Sequence, residues 1–206
     1  MKLITISGLD GSGKSTQIQL LIEYLESQGK RVFYFHANQF SISKTYNILR
    51  PHKVITGRHK ESVAKDGRLQ IQLRKLALII DIWRFQLLRN KLRNKGYDYI
   101  LSDRYFYDSV INIEYLRNLG DPKVKPLAGQ RFNLRLTTPD LAIYLQTSSE
   151  TIMSRERTPD QGIEYLKKKK ELYDAKTSVW NWKIIDGNRD KMQIFEEIKN
   201  YVEIPR

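Results

Sequence analysis

The sequence predicts an α/β fold in which helices cover both faces of a parallel β-sheet. Short runs rich in β-branched and aromatic residues alternate along the chain with longer segments whose apolar residues recur at helical spacing. The first run, residues 2–7, leads through a glycine-rich segment directly into a helical pattern. Another run, residues 97–102, ends in an acidic and a basic residue, which suits a strand that reaches a ligand-binding edge. Because 206 residues suffice for one core, we expect a single domain over residues 1–206.

The N-terminal part is predicted to contain two strands around one helix. Residues 2–7 form the first strand, and residues 14–28 form a helix that Gly29 ends. The apolar positions of this helix recur at helical spacing: Ile18, Leu21, Ile22 and Leu25. Residues 31–36 form the second strand. Residues 37–67 are polar and irregular, and they are predicted to be an insertion.

The central part is predicted to contain a long amphipathic helix between two strands of the sheet. This helix covers residues 69–95 and ends before Gly96. The third strand follows at residues 97–102, a helix at residues 109–118, and the fourth strand at residues 140–145.

The C-terminal part is predicted to carry a short lid. Ser149 is expected to cap a helix over residues 150–157, and chain-breaking residues follow, so that the lid lies near residues 150–162. The remaining elements are a helix at 164–178, a strand at 183–185 and a helix at 190–202.

Residues 8–15 read Gly-Leu-Asp-Gly-Ser-Gly-Lys-Ser, a complete phosphate-binding P-loop between a strand and a helix. Its glycines let backbone N–H groups point at phosphate, Lys14 can reach the β- and γ-phosphates, and Ser15 can ligate Mg²⁺. The helix that follows adds a dipole that favours an anion. The predicted nucleotide-binding residues are Gly8, Leu9, Asp10, Gly11, Ser12, Gly13, Lys14, Ser15 and Thr16.

Asp103 and Arg104 emerge where the third strand ends, at the edge of the sheet that faces the ligand. A carboxylate at this place can hold Mg²⁺ or its water shell together with Ser15. The guanidinium offers a bidentate grip on a second phosphate, which indicates a phosphorylated acceptor. The alternative is a surface ion pair that caps the strand.

Asp10 is a carboxylate inside a loop that binds phosphate, so its side chain is expected to point away from the nucleotide. It can accept a hydrogen bond from an acceptor hydroxyl or orient an arginine on the acceptor. The alternative is a solvated spacer.

Arg155 and Arg157 lie on the predicted lid. A lid arginine can close over the transferring phosphoryl group and neutralise its oxygens, which can supply about 10³–10⁵ in rate. The alternative is a pair of ordinary surface arginines that contact Glu150 or Glu156.

The chain carries a net charge of +13 and no cysteine. This charge suits either nucleic-acid binding or a kinase with two polyanionic substrates. Much of it lies in helical patterns, including the run at residues 167–170, which is expected to be a solvated helix face, so nucleic-acid binding is disfavoured. Without cysteine, a signal peptide pattern or an apolar run of membrane length, we expect a soluble cytoplasmic protein.

The P-loop with Thr16 and Gln17 after it, together with Asp103-Arg104-Tyr105, resembles the thymidylate kinase family of nucleoside monophosphate kinases. Residues 139–145 and 184–187 also resemble segments of that family. The resemblance implies a P-loop NTPase-type fold and transfer of the ATP γ-phosphoryl group to deoxythymidine monophosphate (dTMP), with Mg²⁺. A homodimer is consistent with it, because related kinases are often dimers through helices that flank the core.

The resemblance also implies roles for individual residues. Asp10 faces the acceptor sugar, Arg104 grips the acceptor phosphate and Arg84 reads the pyrimidine base. The acceptor set is Asp10, Arg84, Asp103, Arg104 and Tyr105, and the metal set is Ser15 and Asp103. Because Gly11 stands where some members carry an arginine, the catalytic arginine is expected from the lid. The predicted catalytic set is therefore Lys14, Asp10, Arg104, Arg155 and Arg157.

The sequence departs from the family around the acceptor base. Residues 36–40 replace an Arg-Glu-Pro-Gly stretch, Ile80 replaces the aromatic that stacks on thymine, and residues 111–113 replace an Ala-Tyr-Gln stretch. The aromatic residues available as substitutes are Phe40, Tyr105 and Trp83, although the helical spacing of Trp83 favours a core position. We therefore expect activity on dTMP with broadened specificity. The alternatives are a kinase of another small acceptor and a nucleic-acid-dependent P-loop ATPase.

Overall fold

The protein forms a five-stranded parallel sheet in the order β2-β3-β1-β4-β5. The computed structural model describes residues 1–41, 68–120, 137–155 and 159–204. The strands are β1 (Lys2–Ser7), β2 (Val32–Phe35), β3 (Tyr99–Asp103), β4 (Leu141–Gln146) and β5 (Lys183–Asp186). The helices are α1 (Lys14–Ser27), α2 (Ala37–Phe40), α3 (Arg68–Asn94), α4 (Phe106–Gly120), α5 (Ser149–Met153), α6 (Gly162–Asp174) and α7 (Lys191–Glu203).

Helices cover both faces of this sheet, which confirms the predicted fold class. On one face, apolar residues of α1 and α7, such as Ile18 and Ile198, pack on β1 and β4. On the other face, α3, α4 and α6 enclose an aromatic cluster that contains Phe35, Phe85 and Phe106. The strands are short apolar runs because both of their faces are covered.

The central strand β1 lies between β3 and β4. The strands β2 and β3 lie on one side of it, and the later strands β4 and β5 lie on the other, so the strand order reverses at β1. In parallel sheets a crevice for ligands opens at such a point, outside the carboxyl ends of the strands. Four segments meet at this edge: the P-loop after β1, Asp103-Arg104 at the end of β3, Thr147 after β4 and Gly187 after β5. The fold therefore places the P-loop and the predicted site residues Asp103 and Arg104 at one edge.

Most predicted elements are confirmed within a few residues, and three details are corrected. Ser148, not Ser149, caps α5, because the Ser148 hydroxyl accepts a hydrogen bond from the Thr151 amide at 3.0 Å. The helix predicted to reach residue 178 ends at Asp174. Trp83 is not a core residue: 64% of its surface is exposed, because it lies on the side of α3 that faces away from the sheet.

The short helix α2 lies within the region that was predicted to be irregular. The rest of that region, residues 42–67, lies outside the described residues. Within the described ranges, no helix has both the length and the apolar character that crossing a membrane requires. The division into one domain stays a prediction.

Candidate active site

The P-loop turns tightly because its glycines adopt backbone angles that other residues avoid. Gly8 has φ of 150°, and a Cβ atom there would lie 2.7 Å from the backbone oxygen of Leu145. Gly13 has φ of 100° and immediately precedes the first residue of α1. The first turn of α1 carries no acidic residue that would repel a phosphate. The loop can therefore wrap around an anion at a helix N-terminus.

Lys14 points back into this loop. Its ammonium donates to the Leu9 backbone oxygen at 2.6 Å and to Ser12 Oγ at 3.4 Å, and the side chain is buried. Leu9 packs into the core, so it offers the site only its backbone. Thr16 is exposed in the first turn of α1. The lysine charge thus lies among the backbone groups that are predicted to surround the phosphates.

Ser15 and Asp103 meet across the gap between α1 and β3. The Ser15 hydroxyl donates to Asp103 Oδ2 at 2.5 Å, and Asp103 is buried. Burial and the neighbouring Asp103 carboxylate raise the pKa of Tyr34, whose hydroxyl also contacts Asp103. Asp103 is therefore not a surface ion pair. One hydroxyl and one carboxylate suit Mg²⁺, which prefers a few hard oxygen ligands and completes its shell with phosphate and water.

The described residues contain no cluster of three or more metal-ligating side chains.

Arg104 adopts a left-handed backbone conformation, with φ of 68°. Two hydrogen bonds hold this conformation: the Arg104 amide donates to the Ile6 backbone oxygen at 3.1 Å, and the Arg104 carbonyl accepts from the Ser102 hydroxyl at 2.6 Å. Such strain in a non-glycine residue costs on the order of 1 kcal/mol or more and often occurs at functional sites. Here the turn aims the guanidinium at the P-loop.

The guanidinium of Arg104 forms an ion pair with Asp10 Oδ1. Asp10 is thus not a solvated spacer, because it holds the arginine that is predicted to grip the acceptor phosphate. The structure favours the second of its two predicted roles, the orientation of an arginine. This pair joins the predicted nucleotide side of the site to the predicted acceptor side.

Two residues of α6 contact the other oxygen of the same carboxylate. The Tyr165 hydroxyl donates to Asp10 Oδ2 at 3.1 Å, and Lys169 Nζ lies 3.9 Å from that oxygen. Lys169 is buried, although it belongs to a lysine run that was predicted to be solvated. That prediction was wrong for this position, because α6 turns Lys169 inward while Lys167 and Lys168 are exposed.

Asp108 of α4 is buried at the centre of the same region. It accepts hydrogen bonds from Ser7 Oγ at 2.7 Å, the Tyr105 amide at 2.8 Å and Tyr173 Oη at 2.7 Å, with a longer contact from the Gly8 amide at 3.5 Å. One carboxylate therefore joins the start of the P-loop, the turn after β3 and helix α6.

Arg155 reaches over the P-loop from the end of α5. Its guanidinium donates to the Gly11 oxygen at 2.6 Å and to the Gly187 oxygen at 3.0 Å, and burial lowers its pKa. The alternative partner Glu150 lies instead 3.8 Å from Lys167. Arg155 thus lies against the loop that is predicted to hold phosphate. Arg157 lies outside the described residues.

The predicted base-reading residues lie at the end of α2 and on α3. Arg84 donates to the Phe40 oxygen at 3.0 Å and pairs with Asp81 at 2.8 Å, and its guanidinium lies 4.6 Å from the centre of the Phe40 ring. One face of Phe40 is therefore covered by Arg84. Ile80, at the position of the missing aromatic, is partly exposed on the same helix.

Tyr105 is predicted to contact the acceptor, but its side chain is fully buried. It packs against Phe85 and Phe106, and its hydroxyl donates to the Thr137 oxygen at 2.7 Å. Its ring therefore acts as core packing in this conformation. Trp83, by contrast, is exposed on α3. Stacking of Tyr105 or Trp83 on the base stays a prediction.

Sequence reasoning missed four polar residues of this region: Asp108, Tyr165, Lys169 and Tyr173. The last three share one signal, because their spacing of four residues places them on one face of a helix. Asp108 had no such signal, since a single carboxylate after a strand is common at exposed helix starts.

Comparisons with known proteins agree with this geometry. A family model described as thymidylate kinase matches residues 6–198. The thymidylate kinase of Thermosipho africanus (strain TCF52B) is 30% identical over 212 residues, covering 97% of this chain and 96% of the relative. That of Thermoanaerobacter sp. (strain X514) is 28% identical over 216 residues, covering 98% and 97%.

A solved structure of thymidylate kinase from Candida albicans shares the fold. It superposes with a TM-score of 0.66 and 20% identity, covering 98% of this chain and 91% of that chain. That enzyme is described as having a broad substrate specificity.

Proposed function

This chain belongs to the thymidylate kinase family, and we propose that it transfers the γ-phosphoryl group of ATP to deoxythymidine monophosphate. The observation that carries the proposal is the ion pair between Asp10 and Arg104. A P-loop binds the donor, and an arginine at the end of β3 suits a second phosphate. The contact between Asp10 of the P-loop and Arg104 brings the donor and acceptor phosphate sites within reach of each other, as direct phosphoryl transfer requires.

On the donor side, each residue has a separate task. The P-loop amides and Lys14 bind and orient the β- and γ-phosphates, for which the Lys14 ammonium leaves the Leu9 oxygen. Arg155 leaves the Gly11 oxygen and neutralises charge on the transferring group. Ser15 and Asp103 would hold Mg²⁺. When bound, this ion supplies charge neutralisation at the phosphate oxygens.

On the acceptor side, Arg104 binds the phosphate of dTMP and aims one of its oxygens at the donor. Asp10 orients Arg104 for this task. Arg84 lies next to Phe40 at the end of α2, where it would contact the base. The protein forms no covalent bond to the phosphoryl group in this proposal, because positioning and charge neutralisation account for most of the catalysis in this reaction class.

An assay of ADP release over a panel of acceptors tests the proposal. We expect turnover with dTMP and also with deoxyuridine monophosphate, because Ile80 gives less stacking than an aromatic ring and so weakens the selection for thymine. Lost stacking costs on the order of 1–3 kcal/mol, or about tenfold to a hundredfold in affinity. Lys14→Ala is the matched control, and it should abolish turnover in a folded protein. Activity on a purine monophosphate or an alcohol without any on pyrimidine deoxynucleotides would contradict the acceptor.

The proposal includes a homodimer, which is supported by an apolar stripe on α3. Its members are all exposed and recur at spacings of three, seven and four residues: Leu73, Leu76, Trp83 and Leu87. This spacing forms a seam along one side of a helix and suits packing against another helix. A second copy of α3 would present the same seam.

Light scattering of the purified protein tests the dimer. We expect a dimer for the wild type and a monomer for Trp83→Glu. Arg93→Glu changes an exposed residue of α3 that lies about 100° around the helix axis from the stripe, and it should leave the dimer intact. A monomeric wild type at micromolar concentration would refute this part of the proposal.

A further inference from the structure

Helix α6 turns one row of polar side chains toward the P-loop. Tyr165, Lys169 and Tyr173 are spaced four residues apart and are all buried. Tyr165 and Lys169 face Asp10, and the Tyr173 hydroxyl donates to Asp108. The row therefore extends along the side of the site where Asp10 and Arg104 meet.

Lys169 is the charged member of this row, and its surroundings fit a charged form. Only 3% of its side chain is exposed. Its ammonium lies 3.9 Å from Asp10 Oδ2, 4.7 Å from the centre of the Tyr165 ring and 6.0 Å from that of Tyr115. A buried ammonium needs a nearby carboxylate, and aromatic faces add favourable cation–π contacts. Lys169 has both.

Asp10 brings the ammonium of Lys169 close to the guanidinium of Arg104. Arg104 contacts Oδ1 of the carboxylate and Lys169 lies near Oδ2, so one small group separates the two cations. Like charges held this close favour a second anion in their neighbourhood. A dianionic phosphate monoester bound by Arg104 is therefore expected on the side of the site where Lys169 lies.

We propose that Lys169 is a second basic residue of the acceptor-phosphate site. It stabilises the acceptor's phosphate dianion with its charge, and it keeps Asp10 in place when Arg104 turns to that phosphate. This inference rests on the proposed function, because it takes a nucleoside monophosphate as the acceptor. The ligand it recognises is the phosphate group, not the base or the sugar.

The experiment compares a ligand that has the phosphate with one that lacks it. Lys169→Met replaces the ammonium with an apolar group that still fills the buried space. Titrations measure the dissociation constants of dTMP and of thymidine, and steady-state kinetics measure KM for dTMP and for ATP. Lys168→Met, one residue away on the exposed face, is the matched control.

We expect Lys169→Met to weaken dTMP binding by about tenfold to a hundredfold, the usual effect of a lost charge-assisted contact. Thymidine affinity and the KM for ATP should change by less than about twofold. Lys169→Arg should restore most of the dTMP affinity because it restores the charge. Equal weakening of dTMP and thymidine, or no change in either, would overturn the inference.

A measurement on the wild type decides the case if Lys169→Met does not fold. The ¹⁵N resonance of the Lys169 ammonium, assigned with Lys169→Arg, should shift when dTMP is added and stay in place with thymidine. An unchanged resonance at saturating dTMP would overturn the inference. If the wild type releases no ADP with dTMP, the proposed function fails, whereas these binding comparisons still report on Lys169.

Discussion

Gly187 follows β5 at the edge of the site, and adding one methyl group there should disturb the donor side. Gly187 is buried, and a Cβ atom would lie 2.0 Å from Thr147 Oγ1 and 3.1 Å from Leu145 Cγ. Thr147 Oγ1 in turn lies 3.4 Å from the Ser12 backbone oxygen, and the Gly187 oxygen accepts from Arg155. Gly187→Ala therefore pushes on both the P-loop and Arg155.

The size of the effect follows from these distances. A contact of 2.0 Å cannot persist, so Thr147 must rotate or move, and Leu145 must yield by a few tenths of an ångström. Overpacking of this kind costs about 1–3 kcal/mol. For a chain of this length, each kcal/mol lowers Tm by about 2–4 °C. Because the displaced groups contact the P-loop, we expect the KM for ATP to rise about threefold to tenfold.

Thermal unfolding and steady-state kinetics measure the two consequences separately. Removal of the clashing Thr147 hydroxyl provides the internal test. The double variant Gly187→Ala/Thr147→Ala should lose about 0.5–3 kcal/mol less free energy of unfolding than the sum of the two single variants. Thr147→Val is the matched control, because its γ-methyl groups keep the clash. The KM for dTMP should stay within about twofold throughout, since Gly187 is on the donor side.

Two results would refute this reasoning. One is a Gly187→Ala protein with wild-type Tm and wild-type KM for ATP, which would mean that the loop after β5 yields at no cost. The other is equal rescue by Thr147→Ala and Thr147→Val, which would mean that Thr147 Oγ1 is not the obstacle.

Three further predictions concern the site itself. Arg104→Ala should raise the KM for dTMP strongly and leave ATP affinity unchanged. Arg104→Lys should restore the KM for dTMP only in part, because an ammonium lacks the bidentate fork of a guanidinium. An equal loss of ATP affinity in titrations would contradict this role. Arg155→Ala should lower kcat by about two to four orders of magnitude, measured at saturating substrates, because a lid arginine acts on charge that develops in the transition state; an unchanged kcat would exclude that role. Asp108→Asn should lower the free energy of unfolding by about 1–3 kcal/mol in urea titrations. The NH₂ group of the new side chain would face buried groups that themselves donate hydrogen bonds. Unchanged stability would show that a neutral acceptor can replace Asp108.

The sequence could predict the parts of the site that follow from where chain segments end. The P-loop follows β1 and Asp103 ends β3, so neighbouring parallel strands bring Ser15 and Asp103 together. The contact between Asp10 and Arg104 follows from the same adjacency. Strand and loop order, read from one-dimensional patterns, was enough for these pairs.

The inward face of α6 could not be predicted in the same way. Four consecutive lysines at 167–170 indicate a solvated face, and only the packing of α6 against α4 decides which of them turns inward. The prediction that Trp83 is a core residue was wrong in the opposite sense, because Trp83 is exposed. Helical spacing shows that an apolar stripe exists, but it does not show which side of the helix meets the sheet. Both errors concern orientation about a helix axis, which tertiary contacts determine.

The row of side chains on α6 has a consequence for the order in which the protein loses activity and structure. Tyr165 contacts a residue 155 positions earlier in the chain, and Tyr173 one 65 positions earlier. Contacts between such distant segments have an entropic cost of loop closure, and they form only when the intervening elements are in place. Local opening of α6 would therefore release Asp10 and Asp108 while β1 and β3 stay paired. In mild denaturant, phosphoryl transfer should disappear before the sheet unfolds.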